Sequence, residues 1–214
     1  MTICYRAPPE LEVKPSASVL SLSRREVSLV TIAGIGWMFV NGAYLVVLSF
    51  GPVFLAERGT GFETASLVVS LMSWIFMLCL PLGGYLATRF RMPNLVMFSG
   101  LTGTVIVGAL IPYSHLPFLT FLLFGGLYAL SVPVVAALPA GVLRPENRGP
   151  GLGLYFVWYF AGSAFLPVVG GYLRDLSGTA ESSLLFGAAM MLATLLLVGV
   201  FRFAQGRSPA PAAS

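Results

Sequence analysis

Six long apolar runs, about Val27–Leu55, Thr64–Thr88, Asn94–Pro112, Pro117–Leu143, Gly151–Leu173 and Ser182–Phe203, constrain this chain more than anything else in it. Roughly 20 consecutive apolar residues wound as a helix cross the ~30 Å hydrocarbon layer of a bilayer. The whole chain is 57% hydrophobic and only 9% charged, where an ordinary soluble domain carries about a quarter charged residues. In lipid every backbone N–H and C=O must be paired within the protein, so a spanning segment is a helix or a closed barrel strand. The alternating ten-residue strands of a barrel are absent. The sequence therefore predicts an all-α, polytopic membrane protein with six transmembrane helices over residues 27–205, a polar N-terminal tether at 1–26 and a short tail at 206–214.

The connections AERGTGFE, RFRMP, YSHLP, RPENRGP and RDLSGTAES are short, so neighbouring helices run antiparallel in one bundle. With the N-terminus inside, ten of the twelve Lys and Arg fall on that side and only Arg58 and Arg174 on the other. Basic residues concentrate on the cytoplasmic side of membrane proteins. Both termini are thus expected to be cytoplasmic, in a plasma or bacterial inner membrane. The +4 net charge is read as membrane orientation, with no nucleic acid partner, because the arginines are scattered singly or in pairs.

The phrase GGYL occurs twice, in LPLGGYLATRFR and in LPVVGGYLRDLSG. The copies end the second and fifth apolar runs, three crossings apart, and an odd number of crossings reverses direction. Arginines follow the first copy and a balanced Arg174-Asp175 pair follows the second. Helices one to three and four to six are accordingly expected to form a 3+3 inverted repeat, a construction found in secondary transporters. The glycine pairs Gly83/Gly84 and Gly170/Gly171 allow close backbone approach. Pro81 and Pro167 each remove a helix hydrogen bond and allow a bend.

No Asp, Glu, Lys, Arg or His lies well inside a span, so this chain shows no proton relay or buried counter-charge of its own. The candidate solute-lining positions are polar and aromatic: Trp37, Asn41 and Tyr44 on one face of helix one, Ser70, Ser73 and Trp74 on helix two, Tyr128 and Ser131 with Pro133 on helix four, and Tyr155, Trp158 and Tyr159 with Gly162 on helix five. A mid-membrane amide such as Asn41 needs a partner, either another helix or a water-filled cavity. Each of these residues has an alternative role in plain helix packing. Gly100, Thr104 and Gly108 give helix three a small-residue face, and helix six is nearly featureless.

LPLGGYLATRFRMPN resembles the cytoplasmic signature of the major facilitator superfamily, G-x-L-a-D-R-x-G-R-R, through Gly84, Leu86, Ala87 and Arg89. Thr88 stands in place of the usual aspartate and Arg91 in place of a glycine. AGSAFLPVVGGYL is similar to the family's G-x-x-x-G-P-x-x-G-G motif through Gly162, Pro167, Gly170 and Gly171. RPENRGPGLG resembles the loop before the eleventh helix, with the Arg148-Gly149 pair following an acidic residue. The resemblance implies the second six-helix half of such a carrier, with helices one, two, four and five around a central cavity and residues 1–26 as the back of the central loop. It implies transport of a small solute by alternating access, as a truncated or half unit that needs an N-terminal six-helix half or a homodimer mate.

Other chemistries lack their residues. His115, the only histidine, falls in a loop, Cys4 and Cys79 lie far apart, and neither a metal cluster nor a phosphate-binding glycine loop is present. The chain is expected to be no enzyme and to hold no cofactor or metal. The rival reading is a six-span assembly or interaction protein without a transport role, in which the polar faces of helices one, two, four and five would close on one another.

Overall fold

The computed structural model of the protein describes residues 22–206, so the expected tail beyond Gly206 and most of the expected tether lie outside the described residues. Six helices follow one another: α1 (Arg24–Glu57), α2 (Phe62–Arg89), α3 (Pro93–Leu110), α4 (Pro117–Ala136), α5 (Arg148–Ser177) and α6 (Glu181–Gly206). All six spans are long and apolar enough to cross a membrane, and the described residues contain no strand. This is an all-helical integral membrane protein. Helix directions alternate, which gathers Arg24, Arg25, Arg89, Arg91, Arg144, Arg148 and Arg202 at one end of the bundle and Glu57, Arg58, Glu63, Arg174, Asp175 and Glu181 at the other.

Helix boundaries differ from the apolar runs where side chains cap or compete. α1 starts at Arg24, ahead of its run, because Ser23 and Glu26 form a reciprocal cap: Glu26 N donates to Ser23 Oγ (3.2 Å) and Ser23 N to the Glu26 carboxylate (2.9 Å). α4 stops at Ala136, short of the expected Leu143, and a tight 3₁₀ turn follows at Pro139–Gly141. Pro139 has no N–H to give the Val135 carbonyl, which accepts from Leu138 N (3.2 Å) and from the buried Tyr155 hydroxyl (3.2 Å). α5 runs past Leu173 to Ser177, where Gly178 at φ 75° supplies the left-handed cap.

α1 packs mainly on α5 and α6, α4 packs mainly on α2 and α3, and α3 lies against α6. Lipid tails are as apolar as leucine, so such contacts are held by close fit and interhelical hydrogen bonds rather than by the hydrophobic effect. The parallel pair α1–α5 interlocks every fourth residue, with the hole changing sides each time. Trp158 lies over Gly34, Met38 over Gly162, Leu166 over Gly42 and Val46 over Gly170. On α2–α4 the approach is tighter: a Cβ on Gly83 would meet the Leu130 carbonyl oxygen at 2.6 Å and that of Ala129 at 2.9 Å. Polar bonds across helices are few. Ser183 Oγ donates to the Gly170 carbonyl (2.7 Å) and Thr194 Oγ1 to that of Gly36 (3.3 Å).

Carboxylates tie α1 down at both ends. At the arginine-rich end the buried Glu26 accepts from Arg144 N (3.1 Å) and Asn147 Nδ2 (3.0 Å), fixing the α4–α5 loop. At the other end Glu57 accepts from Arg174 (3.1 Å) and from Ala180 N (2.8 Å), while Arg58 reaches the Pro112 carbonyl in the α3–α4 loop.

Candidate solute-facing surface

The aromatic residues gather into two groups, both built on α1. Near the middle of the bundle Tyr44 stacks on Tyr128 of α4 (centroids 4.9 Å, planes 12° apart), and Phe76 of α2 sits 5.2 Å from each ring. The Tyr44 hydroxyl leaves this stack to donate to Ser73 Oγ (3.0 Å), and Ser73 donates to the Val69 carbonyl of its own helix (3.3 Å). Beside that pair, at mid-span of α2, opens a groove of about 230 Å³ lined by Ser73, Trp74 and Met77. Trp74 and Met77 are 63% and 67% exposed, so the groove opens on a face that no other helix of this chain covers. The second group joins Trp37 to Tyr155 (5.7 Å, stacked) and to Tyr159 (6.4 Å) across the α1–α5 seam.

The remaining candidates separate from these groups. Asn41 neither bridges helices nor stands free: its Nδ2 donates to the Trp37 carbonyl one turn back on α1 (2.8 Å). Ser70 is exposed and bonds its own Ser66 carbonyl. Ser131 is buried, bonds the Tyr128 carbonyl and faces Gly100 of α3, away from the groove. Trp158 lies over Gly34. The indole N–H groups of Trp37 and Trp158 are buried with no partner among the described residues. Phe76 and Met77 escaped the sequence reading, although both follow Ser73 by the three or four residues that share a helix face.

A family model described as Major Facilitator Superfamily matches residues 27–214. The chain belongs to the major facilitator superfamily. It is 30% identical over 172 residues to the multi-drug resistance efflux pump PmrA of Streptococcus pneumoniae serotype 4, a match covering 77% of this chain and 43% of the pump. It is 27% identical to the PmrA homolog of Lactococcus lactis subsp. lactis, over 78% of this chain and 42% of that protein. The chain thus spans under half the length of the curated relatives it matches.

The superfamily-like motifs can now be placed. Gly83 and Gly84 sit side by side in α2 but differ in surroundings: Gly83 touches the α4 backbone, whereas a Cβ on Gly84 would meet only Pro133 Cβ at 3.8 Å. Thr88, at the aspartate position, turns back to the Gly84 and Tyr85 carbonyls. Arg89 and Arg91 are exposed, and Arg91, at the glycine position, adopts φ 54°. That left-handed backbone is the one glycine accepts without strain. Arg148 opens α5 and is exposed. Gly162 and Gly170 are the holes under Met38 and Val46, and Gly171 faces Phe50 at 3.6 Å. Pro81 and Pro133 lie in α2 and α4 towards the arginine-rich end, Pro167 and Pro52 in α5 and α1 towards the other. Pro52 was not singled out from the sequence.

Proposed function

We propose that this chain supplies one six-helix unit of a secondary carrier for a small solute, and that the groove of Ser73, Trp74 and Met77 lies on the wall facing the solute path. The observation that carries this reading is the uneven covering of the helices. Only 11% of the most apolar stretch of α5 and 22% of that of α2 is buried, against 56% for α4. α2 and α5 therefore each present a long uncovered face, and the one on α2 carries the groove at mid-span, where transporters of this kind place their sites. A second six-helix unit, or a second copy of this chain, would cover those faces. Without such a mate those faces would be left to lipid.

The 3+3 inverted repeat belongs to the same proposal. Its support is that α1 and α4 exchange partners, α5 and α6 for one, α2 and α3 for the other. Gly83 and Gly170, and likewise Gly100 and Gly187, pair with α4 and α1 respectively. The arginine-rich end is assigned to the cytoplasm by charge. The curated relatives are multi-drug efflux pumps by name, which makes an amphipathic organic compound the first solute to try.

The test is efflux of a fluorescent dye such as ethidium from cells making this chain alone and together with the first six helices of a PmrA-type pump. Efflux that needs this chain and falls when Trp74 is changed to Ala is expected. If dye is retained equally with and without the chain in both settings, the carrier reading is wrong. Reporters fused to either terminus test the orientation, both being expected to report cytoplasm.

A further inference from the structure

The groove beside Ser73 has a fixed hydrogen-bond polarity. The Val69 carbonyl can only accept, so the single Ser73 proton is directed to it (3.3 Å). Tyr44 must then be the donor in its 3.0 Å contact with Ser73 Oγ, since Ser73 has no second proton. Tyr44 is held in that role by its ring, pinned between Tyr128 and Phe76. What Ser73 Oγ has left is one lone pair. Of the residues lining the groove, Met77 adds a thioether, at best a weak acceptor, and Trp74 an indole N–H on a ring 63% exposed at the rim. The fixed polar atom of the groove is an acceptor. Its volume of about 230 Å³ exceeds the ~150 Å³ that holds a benzene, enough for one fused bicyclic ring.

We propose that Ser73 Oγ orients the solute, and that the solute class is an apolar fused-ring compound presenting an N–H to it. This rests on the groove being the solute-facing surface. Tyr44 is a positioning residue: it occupies one Ser73 lone pair and touches no solute itself. The consequence is asymmetric. Replacing Ser73 with Ala removes the acceptor, whereas Tyr44→Phe keeps the ring stack and frees a further lone pair on Ser73.

The test compares indole with benzofuran, which share a shape and differ in that only indole carries an N–H. Binding is measured by equilibrium dialysis against the full chain in lipid nanodiscs, with empty nanodiscs subtracted and helix content checked by circular dichroism. The unchanged chain is expected to hold indole about two- to tenfold more tightly than benzofuran, the range one net hydrogen bond supplies. Ser73→Ala should bring the ratio to about one and Tyr44→Phe should leave the preference in place. Ser73→Cys, a weaker acceptor, should fall between and serves if the alanine variant does not fold. Saturable binding of both compounds with a ratio near one in the unchanged chain, or a preference that survives Ser73→Ala, overturns the proposal and leaves the groove as a solute site. No binding of either compound above empty nanodiscs overturns the solute-facing reading with it.

Discussion

Adding one methyl group to either of two adjacent glycines should have opposite effects. A Cβ on Gly83 would stand 2.6 Å from the Leu130 carbonyl oxygen, 2.8 Å from Leu130 Cα and 2.9 Å from the Ala129 carbonyl oxygen. All three obstacles are backbone of α4 and no rotamer change removes them. Restoring ordinary contact at ~3.4 Å requires α2 and α4 to part by about 0.8 Å at this level. Overpacking of that kind costs ~1–3 kcal/mol. Parting the helices also weakens any Cα–H···O contact from Gly83, worth ~0.5–1 kcal/mol, to the Ala129 carbonyl, which Pro133 leaves without its helical donor. Alanine's better helix propensity returns ~1 kcal/mol, leaving Gly83→Ala destabilised by ~0.5–3 kcal/mol. A Cβ on Gly84 would meet only the Pro133 ring at 3.8 Å, so Gly84→Ala should be neutral or gain up to ~1 kcal/mol. Thermal unfolding of the purified chain in detergent, followed by circular dichroism, separates the two. At ~2–4 °C per kcal/mol for a chain of this size, Gly83→Ala should melt roughly 1–12 °C below the unchanged protein and Gly84→Ala at or above it. Equal shifts in the two variants would refute the argument that backbone contact, and not glycine content, governs this crossing.

Other predictions follow from single residues. Arg91→Gly relieves a left-handed backbone angle that costs a non-glycine residue ~1–2 kcal/mol; after glycine's entropic cost of ~0.5–1 kcal/mol it should still raise the melting temperature by ~1–4 °C. Glu26→Ala keeps the Ser23 hydroxyl half of the cap but removes the carboxylate that accepts from Ser23 N, Arg144 N and Asn147 Nδ2, a loss of ~1.5–3 kcal/mol. It should lower the melting point and make the α4–α5 loop susceptible to trypsin after Arg148, and an unchanged cleavage pattern would count against the tie.

The helices were legible because a bilayer leaves the chain few options: the six apolar runs and their charged punctuation mark every span. Which side of each span faces protein was not legible. Lipid and core are both apolar, so Met77 at 67% exposure and Met72 fully buried look alike in sequence, and the groove depends on that difference. Local hydrogen bonding was the other blind spot. Asn41 has its partner one turn away on the same helix, a choice no sequence spacing distinguishes from a partner across the bundle. At the end of α4 the Val135 carbonyl takes a second donor from Tyr155, sixteen residues after Pro139, a contact no local spacing marks. Gly83 and Gly84 look alike as motif glycines, and only coordinates separate Gly83, pressed on backbone, from Gly84, with room to spare.

The alternating interlock of α1 and α5 works as a detent. Trp158, Met38, Leu166 and Val46 each sit over a glycine of the opposite helix, at levels four residues apart, with the glycines eight residues apart on each helix. A slide of one or two residues would drive at least three of the four side chains onto positions that carry a Cβ, since only Gly36 and Gly171 lie within two residues of the present holes. Axial slip is therefore barred in both directions, and α1 with α5 behaves as a single bar whose ends are further pinned by Glu26 and Glu57. Any change of shape in this bundle has to come from tilting that bar as a unit against α2 and α4, or from flexing at the prolines, Pro52 and Pro167 within the bar and Pro81 and Pro133 beyond it.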